Sequence, residues 1–179
     1  MNAFWDFYWP LLTAAVVVGV LAGAIGFRAA RAREPKTARF KRYALFVAAA
    51  GAIVVLAFGA LWHGPFGTGN AFATTIDRQS RRVLNDWEMP QVRAQLERHP
   101  LKRTLVLSGP ADDFQRSELI RIMDGVPGVA NVRWTDMRSP LGLPLVGEAE
   151  LAALLCFGLG LLLAYLLELR RRYRAQWSW

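Results

Sequence analysis

Few residues in this chain are of a type and spacing that could do chemistry. The candidates are two histidines, His63 and His99, a single cysteine, Cys156, and an adjacent acid pair, Asp112 and Asp113. His63 stands beside Trp62 at the end of an apolar run, where an imidazole can ligate a haem or chlorophyll-type pigment axially. A bis-histidine site would need a second ligand, and His99 falls in a different segment. His63 is thus the one cofactor candidate, and its plainer reading is an interfacial side chain. Asp112 and Asp113 read as the start of a helix, with no His or Glu spaced to complete a metal cage. Ser108-Gly109 lacks the G-x-S-x-G of a nucleophile elbow, and no phosphate loop or dinucleotide fingerprint is present. Cys156 lies inside an apolar run, which excludes a disulfide framework and fits a small packing residue. These residues predict no enzyme, no bound cofactor and no metal.

The elements that would position them are dominated by three uncharged apolar runs, residues 11–27, 43–62 and 151–167, in a chain that is 54% hydrophobic. A bilayer core takes about 20 apolar residues in a helix, so the middle run spans comfortably and the outer two are at the short end. Backbone groups in lipid must be satisfied within the segment, which makes each run a helix. The runs hold little polar beyond Thr13, which argues against a transport pathway through this chain alone. The first run carries Gly19 and Gly23, the second Ala48 and Ala52, at the four-residue spacing that lets helices approach closely. The expectation is a hairpin of these two helices, or a face for another protein's helix.

The net charge of +8 sits beside the apolar runs. Residues 28–42 hold Arg28, Arg31, Arg33, Lys36, Arg39, Lys41 and Arg42 against Glu34 alone. The tail, 168–179, holds Arg170, Arg171, Arg172 and Arg174 against Glu168. The stretch between the second run and this tail is electrically balanced. Nucleic-acid binding would want a basic face on a folded module. The observed pattern is that of positive-inside topology, and such clusters also attract anionic lipid. It predicts an N-terminal end (1–10) outside the cytoplasm, a cytoplasmic basic loop and a cytoplasmic tail. The positive charge follows the first run rather than preceding it, so that run reads as a helix and not a signal peptide.

Between linkers at 63–70 and 139–150 lies the one long water-soluble segment, 71–138. Phe72, Ile76, Val83 and Trp87 recur at helical spacing, with Met89-Pro90 as the stop. Gln91–Leu96 and Leu101–Ser108 read as a strand hairpin, with a helix through 91–99 as the rival. Asp112 with Gln115 forms a capping-box pattern, and Leu119, Ile122, Met123 and Val126 give the next helix its inward stripe. Gly125 is placed to end it. Pro127-Gly128 turns the chain into a strand over 129–134. The fold class is an α-helical membrane protein of three spans carrying a small α+β domain of order αββαβ.

The run LVLSGPADDFQRSELIRIMDGVPGVANVRW resembles a BON domain, a small module of bacterial envelope proteins. The likeness rests on the strand ending in Leu107-Ser108-Gly109, the helix after it, and Gly125-Val126-Pro127-Gly128-Val129 leading to the last strand. It covers about residues 71–135. The resemblance implies an αββαβ fold, a role in envelope integrity, and binding to phospholipid or membrane surfaces. Most such modules stand in soluble or lipid-anchored periplasmic proteins, whereas this one lies between membrane runs. The whole layout also resembles three-helix inner-membrane proteins of alphaproteobacteria, which implies no function. The expected function is a non-enzymatic scaffold, accessory or envelope-maintenance protein of a bacterial inner membrane. Its expected partners are membrane lipids and other membrane or periplasmic proteins. The alternative is an accessory subunit of a respiratory or photosynthetic complex.

Overall fold

A computed structural model describes the backbone of residues 2–31, 38–138 and 142–176, and side chains within 2–27, 42–138 and 142–174. The elements run α1 (Ala3–Arg31), α2 (Ala38–His63), α3 (Thr68–Asp86), β1 (Arg93–Arg98), β2 (Leu101–Ser108), α4 (Asp113–Asp124), β3 (Asn131–Trp134) and α5 (Leu145–Gln176). Among the described residues, three stretches are long and apolar enough to cross a membrane: Ala3–Phe27, Arg42–His63 and Leu145–Arg174. The chain forms two compact units. One comprises the residues up to Tyr8 together with Trp62–Glu148, and the other Trp9–Leu61 together with the residues from Ala149 on.

The helices are longer than the apolar runs. α1 begins at Ala3 and α5 at Leu145, so the expected N-terminal end (1–10) is helical from Ala3, and the linker expected at 139–150, of which 139–141 lie outside the described residues, is helical from Leu145. Hydropathy marks only the lipid-compatible part of a helix, whereas the backbone ladder continues through amphipathic turns that find cover. Pro10 accordingly lies inside α1 rather than in its first turn, where it removes the bond that the Asp6 carbonyl would otherwise accept. The linker at 63–70 is also shorter than expected. Gly67 takes φ +70 and donates to the Gly64 carbonyl at 2.8 Å, and α3 starts at the next residue. The Thr68 hydroxyl donates back to the Trp62 carbonyl.

In the first unit β2 is the central strand. β1 pairs with it antiparallel, with Ala94 opposite Leu107 and Leu96 opposite Leu105. β3 pairs parallel, with Leu105 opposite Val132 and Leu107 opposite Trp134. The hairpin reading of 91–108 therefore holds and the rival helix does not form, although β1 starts two residues later than expected. Period-two alternation gathers Ala94, Leu96, Leu105, Leu107 and Trp134 on one buried face. Against it lie Phe72, Ile76 and Leu84 of α3, with Leu119 and Met123 of α4. The parallel β2–β3 pair needs a crossover, and α4 supplies it.

Two local expectations about helix ends are corrected. Trp87 does not join the buried face of α3, because the helix ends at Asp86 and Glu88 takes φ 55, turning the chain away. Val83 is half-buried, and Leu84 takes the inner place. Gly125 does cap α4, but in right-handed geometry at φ −75. The left-handed residue is Gly128, at φ +103, where a Cβ would stand 2.8 Å from Ile76 Cδ1 and 3.2 Å from Phe72 Cζ. Only glycine both adopts that backbone and clears α3.

Candidate functional site

The first unit carries an open apolar groove of about 260 Å³ between the end of α3 and the outer side of α4, lined by Trp87, Met89, Phe114, Glu118, Leu119 and Ile122. Its construction is local. Met89 N–H donates to the Leu84 carbonyl at 2.9 Å, and Glu88 N–H to that of Asn85 at 3.0 Å. This reversal brings Trp87 and Met89 back beside α4. On the other wall Asp112 accepts from the Gln115 N–H at 2.7 Å, while the Gln115 carboxamide oxygen accepts from the Asp112 N–H at 3.1 Å. The box starts α4 so that Phe114, in its first turn, faces outward. Trp87 is 58% exposed and Phe114 75% exposed. Trp87 and Phe114 thus expose aromatic surface in one groove rather than singly.

The groove is flanked by acids. Glu88 follows Trp87 in the chain, Asp112 and Asp113 precede Phe114, and Glu118 lines the groove itself. Glu118 pairs with Arg121 at 2.6 Å, which holds the Arg121 guanidinium above its ordinary pKa through the hydrogen bond and the nearby charge. Among the described residues, no basic side chain lines the groove. The hydrophobic period pointed to Trp87 as a core residue, and Phe114 was not singled out. The signal available was that Phe114 lies off the Leu119–Met123 stripe.

The residues singled out by the sequence do not converge on one place. The imidazole of His63 packs in the first unit against Gly69, where a Cβ would stand 2.7 Å from Cε1, and edge-on to Phe7 at 6.2 Å between centroids. Its Nδ1 is buried with no hydrogen-bond partner among the described residues. His99 sits apart, in the β1–β2 turn. No group of three His, Cys, Asp or Glu gathers at metal-binding distance among the described residues.

In the second unit Gly19 and Gly23 pack against α5, not against Ala48 and Ala52 as the hairpin expectation had it. A Cβ at Gly19 would meet the Phe157 carbonyl oxygen and stand 3.0 Å from Gly160 Cα. One at Gly23 would stand 2.5 Å from Ala164 Cβ. Ala48 and Ala52 are half-buried, and beside them Gly51 of α2 lies against Phe157 and Ala22. Spacing reveals a smooth stripe but not which neighbour fills it. Gly160, unremarked in the sequence, is the counterpart of Gly19.

Among the basic residues, the side chains at Arg28, Arg31, Arg33, Lys36, Arg39 and Lys41 lie outside the described residues. Arg42, Arg170, Arg171, Arg172 and Arg174 are exposed, and Arg172 pairs with Glu168 at 3.3 Å. Besides Glu168, the third apolar helix contains two carboxylates, Glu148 and Glu150, ahead of the uncharged run 151–167. Glu150 lies against Gly59 of α2 in the second unit. Glu148, in the first unit, accepts from Arg103 Nη1 at 3.3 Å and from the Tyr8 hydroxyl at 3.4 Å. Arg103 also donates from Nε to the Gly128 carbonyl at 2.9 Å and lies 5.0 Å over the Phe4 ring. Phe7 packs on Phe72 at 5.4 Å, and Trp62 Nε1 donates to the Phe7 carbonyl at 3.0 Å. Phe4, Phe7 and Tyr8 of the N-terminal turn of α1 thus help to close the first unit. This cluster has the chemistry of a clasp: its donors and acceptors satisfy one another. Comparison with protein-family models, with curated proteins and with solved structures finds no match to this chain.

Proposed function

We propose that this is a non-enzymatic bacterial inner-membrane protein that displays a BON-like module in the periplasm and acts as a scaffold or accessory component by docking another protein. The order α3-β1-β2-α4-β3, around a three-stranded sheet, supports the BON-like reading. The observation that carries the docking function is the groove of Trp87, Met89, Phe114 and Ile122. Its acidic flanks, Glu88, Asp112, Asp113 and Glu118, favour a protein over a membrane surface. Anionic headgroups would be repelled, whereas an apolar anchor with a basic rim complements both parts.

The test is photo-crosslinking in native membranes, with Phe114 replaced by a benzophenone-bearing analogue. The expected result is one discrete protein adduct, lost when Trp87→Ser is added and absent when the same group replaces the solvent-facing Arg82. Adducts to lipid alone, or no adduct, would remove the docking reading.

A further inference from the structure

Three glycines of α1 gauge how closely it lies on α5 in the second unit. An added Cβ would meet the Phe157 carbonyl oxygen at Gly19 and stand 2.5 Å from Ala164 Cβ at Gly23. At Gly26, which helical periodicity puts on the same face, it would find no described atom within 4 Å. The seam is therefore tight at the first two positions and open at the third. Beside the opening lies a hollow of about 180 Å³. Ala24 and Phe27 line it from α1, and Ala164, Leu167, Glu168 and Arg171 from α5. The Phe27 ring still reaches Tyr165 of α5, at 5.8 Å between centroids, so the helices stay in contact beside it.

The hollow changes character along the helices. Ala24, Ala164 and Leu167 make one part apolar, and Glu168 and Arg171 make the other ionic. The Glu168 carboxylate is engaged by Arg172 at 3.3 Å. Arg171 is exposed and forms no ion pair among the described residues. The same holds for Arg170 and Arg174, but of the three only Arg171 lines the hollow. Depth completes the picture. Arg171 stands four residues beyond Leu167, the end of the uncharged run, which is about 6 Å at the helical rise. Headgroups occupy roughly 5–8 Å on each side of a bilayer core. The guanidinium is thus at the level of lipid phosphates, and the apolar part is at the level of acyl chains.

We infer that this crevice between α1 and α5 binds one anionic phospholipid, with its phosphate on Arg171 and part of an acyl chain against Ala24 and Ala164. A guanidinium donates charge-assisted hydrogen bonds to a phosphodiester, and these are the strong ones. A soluble anion would leave the apolar part unfilled, which favours a lipid. The site differs from the diffuse attraction of a basic tail for anionic lipid, because it holds one molecule in one seam.

The experiment is native mass spectrometry of the full chain released from an uncharged maltoside detergent. Phosphatidylglycerol is titrated against phosphatidylcholine with the same acyl chains, and the first bound lipid is counted. Wild type should take up one phosphatidylglycerol in clear preference. Arg171→Gln should weaken that uptake about tenfold, the loss of one hydrogen bond to a charged group. Ala24→Leu, which fills the hollow and leaves every charge in place, should weaken uptake too. Arg170→Gln removes the same charge about 100° around the helix and should leave uptake unchanged. Melting temperatures without added lipid report folding, and if one of the two site variants fails to fold the other decides. No preference for phosphatidylglycerol, equal losses in Arg170→Gln and Arg171→Gln, or full uptake by the folded Ala24→Leu protein would overturn the site.

Discussion

Arg116 shows how much one side chain can fasten in a small module. Its Nη1 donates to Asp136 at 2.7 Å, its guanidinium lies 4.8 Å over the Trp134 ring, and its carbonyl accepts from Trp134 Nε1 at 3.3 Å. The buried indole at the end of β3 is thereby tied to α4. The hydrogen bond from Arg116, with a backbone bond behind it, holds the Asp136 carboxyl below its ordinary pKa. A carboxylate whose pKa is lowered by folding stabilises the fold above its unfolded value, and that contribution is lost as pH falls through the lowered folded value. Wild type should therefore melt higher than Asp136→Asn at neutral pH, with the gap closing on acidification below the usual carboxylate range. The effect should be small and shrink in high salt, because the pair is exposed. Melting temperatures of both proteins across acid pH would check this, and a gap that does not change with pH would rule the ion pair out as its source. None of this was legible in the sequence, since Arg116 and Asp136 meet only once β3 lies beside β2.

At the scale of elements, what was readable was what is local. The capping box needs only Asp112 and Gln115, and the β1–β2 hairpin only two short alternating runs and the turn between them. Contacts across long separations were not readable. Tyr8 meets Glu148 across 140 positions, and no periodicity in either helix announces it. The same limit explains the small-residue stripes, where Gly19 and Gly23 were visible but the partner helix was misassigned. The pairing has a sharp consequence. A Cβ at Gly160 would meet the Val16 carbonyl oxygen and stand 2.9 Å from Gly19 Cα, so that backbone meets backbone with nothing flexible to yield. At Gly158, two residues away, no atom lies within 4 Å of the added Cβ. Gly160→Leu should therefore destabilise the helix unit by about 1–3 kcal/mol, the cost of overpacking, while Gly158→Leu should be close to neutral. Thermal unfolding in detergent distinguishes them. Equal behaviour of the two variants would refute the α1–α5 seam.

For the whole molecule, the proposed function depends on which side of the membrane holds the aromatic groove. The argument is electrostatic. The basic residues of 28–42 lie between the first two spans, those of 170–174 follow the third, and Asp6 near the start of the first span is acidic. Carrying one base outward against a potential negative inside costs about 2.3 kcal/mol per 100 mV. Two clusters, on loops that three spans place on the same side, oppose inversion together. In the proposed topology the segment between α2 and α5, with the aromatic groove, faces away from the cytoplasm. Alkaline phosphatase fused after His63 should be active, whereas a fluorescent protein fused after Trp179 should fold and fluoresce. Replacing Arg39, Lys41 and Arg42 by Gln should lower the first signal by weakening the retained loop. An inactive phosphatase after His63, with the fusion present at normal abundance, would place the groove in the cytoplasm and give it a different set of partners.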